Sequence, residues 1–277
     1  MKFTKMHGIG NDYIYFNCFE EKVNNPNELA IRLSDRHFGI GGDGIVLIMP
    51  SETCDFRMRM FNADGSEGKM CGNATRCIGK YVYEKGLTDK TRFTLETLSG
   101  VKVLDLDVKD GTVQSVTVDM GKAVFTAKDI PVIAETDEVV EAPLTVDGKE
   151  NIVTCVSMGN PHCVIFTEGI AGLDLEKIGP SYENHPAFPE RINTEFAEYI
   201  DENHLNMRVW ERGSGETLAC GTGACATVSA AVKTGRCKPD TFVKVKLIGG
   251  ELEIMYKSDG TVIMKGPAAF SFEGEVE

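Results

Sequence analysis

No stretch of the chain stays apolar for the length of a membrane-spanning helix. Positive charge is also short: 29 Lys and Arg stand against 42 Asp and Glu, a net charge of −13. Such a surface repels nucleic acid and anionic lipid, so no nucleic-acid and no membrane partner is expected. Its plain meaning is solubility. Nine cysteines are present, yet none forms a Cys-x-x-Cys pair. The nearest groupings are Cys71 with Cys77, Cys220 with Cys225, and His162 beside Cys163. None has structural zinc spacing, and no resolving cysteine sits where a redox motif wants one, so no metal is expected. The segment Gly39-Ile40-Gly41-Gly42-Asp43-Gly44 is glycine-rich but fails the dinucleotide fingerprint, and no Lys-Ser/Thr follows. A tight turn is expected there, and no cofactor. Residues 1–8 lack the apolar centre of a signal peptide, so the expected location is cytoplasmic, where cysteines remain thiols.

What the chain does have is an internal repeat. Cys71-Gly72 and Cys220-Gly221 stand 149 positions apart. The same offset aligns Gly10-Asn11 with Gly159-Asn160 and Met58-Arg59 with Met207-Arg208. It also aligns Glu67 with Glu216, Gly86 with Gly235, and residues 110–113 with 259–262. A long unit occurring twice implies two similar domains rather than a solenoid. Within 277 residues, 42% of them hydrophobic, two ordinary cores fit. The expected division is 1–119 plus 266–277, carrying Cys71, and 120–265, carrying Cys220.

Alternation and punctuation place the elements. Pro26–Ser34 reads as a helix. Phe56, Met58 and Met60 share one face of a half-buried strand. After Cys71, the residues Ala74, Cys77, Ile78, Tyr81 and Val82 fall at helical spacing, with Gly86 as the stop. Arg92–Val118 reads as three strands turning at Ser99-Gly100 and Asp110-Gly111. Short strands are expected around Val132-Ile133 and over 144–146. In the second copy, 152–156 and 163–166 are strands joined by a loop, Gly159-Asn160-Pro161-His162. Residues 180–189 look loop-like, and Asn193 opens a strand. Ala224–Lys233 is a helix apolar or small on nearly every side, hence buried all round. Three strands follow it, over 242–248, 251–256 and 261–264. The class is α+β: two pseudo-symmetric domains, each a strongly curved, mostly antiparallel sheet wrapped around a central helix.

Each Cys-Gly step lies at a helix start, where unpaired N–H groups favour negative charge. A thiol so placed is expected to have a lowered pKa. Gly72-Asn73 and Gly221-Thr222 then make two anion-binding nests. If the two domains face each other, one carboxylate can receive hydrogen bonds from both. This suits a carbon acid next to a carboxylate, deprotonated on one face and reprotonated on the other, with one sulfur as thiolate and the other as thiol. The remaining cysteines, at 18, 54, 77, 155, 163, 225 and 237, read as small packing residues.

Several motifs carry a specific resemblance. They are residues 6–12 (Met-His-Gly-Ile-Gly-Asn-Asp), residues 70–76 (Met-Cys-Gly-Asn-Ala-Thr-Arg), Gly159-Asn160-Pro161-His162, and the run from Glu211-Arg212-Gly213 to Cys220-Gly221-Thr222-Gly223. In these the chain resembles diaminopimelate epimerases over essentially its whole length. The resemblance implies interconversion of LL- and meso-diaminopimelate without pyridoxal phosphate, a homodimer, and Cys71 and Cys220 as the acid/base pair. It implies that Gly72-Asn73 and Gly221-Thr222 hold the reacting carboxylate. The distal end would be read by Asn11, Asn62, Asn160, Asn193, Glu211 and Arg212, which suits a zwitterion needing amides, a cation and an acceptor. His162 and Glu211 would assist the thiols. Gly44 stands where some members carry a glutamine, and it offers no side-chain contact. The nearest alternative is a proline or hydroxyproline racemase-type enzyme, which shares the cysteine-pair logic.

Overall fold

The computed structural model describes residues 1–277. In chain order it begins β1 (Lys2–Gly8), β2 (Asn11–Asn17), α1 (Pro26–Ser34), β3 (Gly44–Met49), β4 (Phe56–Asn62), β5 (Glu67–Gly68), α2 (Gly72–Glu84), β6 (Arg92–Thr97), β7 (Gly100–Lys109) and β8 (Thr112–Lys122). It continues β9 (Ala142–Val146), β10 (Lys149–Ser157), β11 (Pro161–Phe166), α3 (Leu175–Glu183), β12 (Asn193–Asp201), β13 (His204–Glu211), β14 (Gly215–Glu216), α4 (Gly221–Lys233), β15 (Phe242–Leu247), β16 (Gly250–Tyr256), β17 (Thr261–Gly266) and β18 (Ala269–Glu275). The class is α+β, as the alternation implied. The chain divides into two compact units, Met1–Asp119 with Lys265–Glu277, and Met120–Met264.

In the first unit, β1 pairs antiparallel with both β2 and β18. The β1–β2 turn is two residues, Ile9 (φ 51°) and Gly10 (φ 92°), and it sets Asn11 at the head of β2. Two left-handed residues match the twist of a tight hairpin. β2 runs parallel to β3, and β4 parallel to β6. Parallel neighbours need a crossover, and α1 and α2 supply the two. β6, β7 and β8 close the unit as a meander. α2 is buried from Gly72 through Val82. It lies so close to the sheet that a Cβ on Gly79 would come within 3.0 Å of Val116 and 3.1 Å of Leu106.

The second unit repeats this order. β10 pairs with β11, β11 runs parallel to β12, β12 pairs with β13, and β13 runs parallel to β15. Here α3 and α4 make the crossovers. α4 packs on β10, β11, β12, β13, β15 and β16, so its small, apolar surface is covered all round. α2 and α4 are both 13 residues long, and their first residues are 149 apart.

Four local expectations are corrected. Residues 175–183 form α3 despite Pro180, because tertiary contacts outweigh the proline penalty. Asp174 caps its start, and its Gly179 seats the indole of Trp210. Val132 and Ile133 are not a strand: their N–H groups bond Ala127 O and Ala187 O. Pro161 and His162 belong to β11 rather than to a loop, and a proline is tolerated as the first residue of a strand. α4 begins at Gly221, not Ala224. β18, which pairs with β1, was not anticipated.

Candidate active site

Cys71 and Cys220 occupy one local position, the N-cap of α2 and of α4. Their carbonyls accept the first helical bonds, from Thr75 N at 2.9 Å and Ala224 N at 3.0 Å. The glutamates four residues upstream are struts. Arg59 grips Glu67 through two bonds of 2.7 and 3.0 Å, and Arg208 grips Glu216 with the same two distances. These forks tie β4 to β5 and β13 to β14, which hold the loops leading to each cysteine.

Around Cys71 the partners come from β2 and from the turn before β3. Cys71 Sγ donates to Asn11 Oδ1 at 3.3 Å, and Asn11 Nδ2 donates to Asp43 Oδ2 at 2.7 Å. Asp43 also accepts from Asp12 N and from Arg36. Burial, then the Asp12 charge, raises its carboxyl. Burial would also raise Asp12, but Arg36 and the buried Lys5 outweigh it and hold that carboxyl low. Gly8 lets β1 approach the first turn of α2, since a Cβ there would lie 3.0 Å from Asn73 Cβ. Asn73 is buried at that turn. Asn62 lies at the end of β4 with its amide on Ser66 Oγ at 3.0 Å, apart from the Asn11–Cys71 contact.

Around Cys220 the polar groups are denser. Gly223 N donates to its sulfur at 3.3 Å, and Thr222 Oγ1 lies 3.5 Å away. Thr222 also accepts from Asn160 Nδ2 at 3.3 Å. His162, fully buried, places Nε2 3.0 Å from Asn160 Oδ1 and Nδ1 2.7 Å from Glu195 Oε1. Glu211 accepts from Thr217 Oγ1, and burial raises its carboxyl. Asn193 Nδ2 donates to Pro161 O at 2.7 Å, and its Oδ1 accepts from Arg212 N at 3.0 Å. The Arg212 guanidinium rests on Glu190 O at 2.9 Å.

The expectation of a lowered thiol is reversed at Cys220. Burial pushes this thiol well up, and the carboxylates of Glu211 and Glu195 push it further. Against these the helix start and its N–H contact are too weak, so Cys220 stands as a thiol. Sequence reasoning missed Asp43 and Glu195. Glu195 is a charged residue inside the buried run 192–197, a burial that only the fold reveals.

A family profile described as diaminopimelate epimerase matches residues 3–126 and 154–271. A protein of Acetivibrio thermocellus named diaminopimelate epimerase is 57% identical over 278 residues, covering 100% of this chain and 99% of its own. One of Methanococcus maripaludis with the same name is 53% identical, covering 100% of both. Among solved structures, a PhzF-family phenazine biosynthesis protein of Bacillus anthracis matches with a TM-score of 0.72 at 16% identity, over 100% of this chain and 99% of that one. A probable proline racemase of Agrobacterium radiobacter matches with a TM-score of 0.73 at 14% identity, over 100% and 92%. These two share the fold. With a profile spanning most of its length and relatives above half identity end to end, the chain belongs to the diaminopimelate epimerase family.

Proposed function

We propose that the protein interconverts LL-2,6-diaminopimelate and meso-diaminopimelate by two-base proton transfer at the α-carbon, a step of lysine and cell-wall precursor synthesis. The observation that carries this reading is the pair of equal helices, 149 residues apart, that each begin on a cysteine. Inversion needs a base on one face of the carbon and an acid on the other. Cys220 enters as the thiol, because burial and two carboxylates favour its proton. Cys71 then takes the substrate proton in that direction, and the roles exchange in reverse. The N–H groups at the starts of both helices, at Gly72-Asn73 and Gly221-Thr222, stabilise the charge that develops on the reacting carboxylate. Asn11, Asn62, Asn160, Asn193, Glu211 and Arg212 read the distal end, while His162 and Glu211 assist the sulfurs. Neither metal nor pyridoxal phosphate is required by this scheme.

The protein further acts as a homodimer, by the family resemblance. It resides in the cytoplasm, a setting that suits nine unpaired thiols. Sedimentation of the purified protein reads the first, and fractionation of cells the second.

Heavy water tests the chemistry. A base that keeps the substrate's proton and an opposing acid that has exchanged with solvent put deuterium into the product and scarcely into recovered substrate. Cys71→Ala and Cys220→Ala should each lower epimerisation by about 10²–10⁴-fold, the usual contribution of a placed acid or base. Label in both isomers at early times, or near-normal inversion in either mutant, refutes the two-cysteine scheme. The proline racemase-type alternative is read in the same experiment with hydroxyproline isomers.

A further inference from the structure

The two copies agree in scaffold and differ in chemistry. Subtracting the 149-residue offset from His162, Glu195 and Glu211 gives Tyr13, Val46 and Asn62. The first unit therefore carries no histidine or carboxylate at these three positions. In the second unit all three residues face one way. His162 pairs with Asn193 across parallel β11 and β12, so the two share a face. Glu195, two residues on, lies on that face too. Val209 pairs with Glu195 on β13, which places Glu211 on it as well.

Glu195 is fully buried. Its Oε1 holds His162 Nδ1 at 2.7 Å, and its Oε2 has no hydrogen-bond partner. A Cβ built on Gly223 would lie 2.8 Å from Glu195 Oε1 and 3.2 Å from Cys220 Sγ. Carboxylate and sulfur thus lie against the same point of the first turn of α4, and only a glycine there leaves room for both. An ionised carboxylate this deep is costly unless something in the site uses its charge.

We propose that Glu195 is a positioning residue of the reaction assigned above: it fixes the ring of His162 through the proton on Nδ1 and sets the negative charge that the Cys220 sulfur faces. Resting on that reading, it also accounts for how two similar half-sites hold their sulfurs in different protonation states. The Asn11–Asp43 pair faces Cys71. Cys220 faces Glu195 from β12 and Glu211 from β13, with His162 on β11 behind Glu195 and Thr222 on its own helix. Glu195 Oε1 accepts a hydrogen bond from Nδ1, and the amide oxygen of Asn160 accepts one from Nε2. Two negative charges disfavour a third, so Cys220 keeps its proton.

The test compares the wild-type protein with Glu195→Gln, nearly isosteric and uncharged, and Glu195→Asp, which keeps the charge. Thermal melts confirm that each variant is folded, and the aspartate variant carries the test should the glutamine variant not fold. Two readouts need no turnover. Nitrogen-15 spectra of histidine-labelled protein follow protonation of His162 Nδ1, and peptide mass spectrometry follows alkylation of Cys220 and Cys71 separately against pH. In Glu195→Gln the Nδ1 proton signal should be lost or moved, and Cys220 alkylation should begin about one pH unit lower, about tenfold faster at a given pH. Cys71 should be unchanged, and Glu195→Asp should lie between wild type and Glu195→Gln. With diaminopimelate, kcat should fall with KM within about twofold, since Glu195 acts through His162 and Cys220 rather than on substrate. A folded Glu195→Gln with wild-type His162 signals, or with a wild-type Cys220 profile, overturns the proposal. Wild-type protein that leaves diaminopimelate unchanged overturns the functional reading alone, because the two turnover-free readouts still decide Glu195.

Discussion

Replacing Gly179 with alanine sets two physical effects against each other, and the packing around Trp210 decides the sign. Taken alone, α3 should welcome the change, because alanine is better than glycine in a helix interior by about 0.5–1 kcal/mol. A Cβ on Gly179, however, would stand 2.2 Å from Trp210 Cδ2 and 2.5 Å from both Cε3 and Cγ. The indole cannot step aside cheaply. It is buried, and its Nε1 is held by Glu183 Oε2 at 2.7 Å. Overpacking of this kind costs about 1–3 kcal/mol. An approach of 2.2 Å belongs to the upper half of that range, about 2–3 kcal/mol, so the net loss is about 1–2.5 kcal/mol, which lowers the melting midpoint by about 2–10 °C. The chain has one tryptophan beside seven tyrosines, so fluorescence excited selectively at the indole reports the surroundings of Trp210. Emission should move to the red as the ring is pushed toward solvent, and the thermal midpoint followed at that wavelength should drop. Glu211 and Arg212 follow Trp210 directly, so kcat/KM for diaminopimelate should fall as well. A midpoint equal to or above wild type with unmoved emission would refute the argument, since the helix preference would then outweigh the ring contact.

Arg212→Lys keeps the charge but loses the guanidinium fork, so diaminopimelate turnover should fall at least about tenfold; unchanged kinetics remove Arg212 from the substrate's distal end. Lys5→Met removes one of the two cations that hold the Asp12 carboxyl low. A depressed folded pKa contributes stability above the unfolded value and loses it as pH falls through the folded one, so acid unfolding of the variant should begin at higher pH. Urea melts between about pH 3 and pH 6 read this, and an unmoved acid limb counts against it. In Gly44→Gln a Cβ would sit 2.0 Å from Phe61 O, a backbone atom of β4. It should lower the urea midpoint without tightening substrate binding, and a stable variant with lower KM would show that β3 and β4 can part to admit it.

The scaffold could be read from the chain because repetition and periodicity are local properties. The offset that aligns Cys71 with Cys220 also relates α2 to α4 residue for residue. The alternation of Phe56, Met58 and Met60 is the buried face of β4. α3 was hidden because it packs on distant residues, Trp210 among them, 31 positions beyond Gly179, and no window around Pro180 contains that contact. The polar partners were hidden for the same reason. Asp43, in the turn before β3, reaches Asn11 over 32 positions, and Glu195 reaches His162 over 33 across parallel strands; both contacts follow only from the fold.

Departures from the repeat carry as much information as the repeat itself. A helix that starts on a cysteine needs the same backbone in both copies, and Gly72 and Gly221 retain it. In the proposed scheme the copies must differ, because two sulfurs in the same protonation state cannot pass a proton through one carbon. A duplicated chain can meet that demand only at positions facing the helix start, where a substitution changes charge and leaves the strand order intact. Tyr13, Val46 and Asn62 stand at the positions that correspond to His162, Glu195 and Glu211, on β2, β3 and β4 against β11, β12 and β13. On the proposed scheme the asymmetry of the reaction lies in side chains on a repeated backbone, and its polar cost falls on the second unit, where Glu195 is buried without a partner for one of its oxygens.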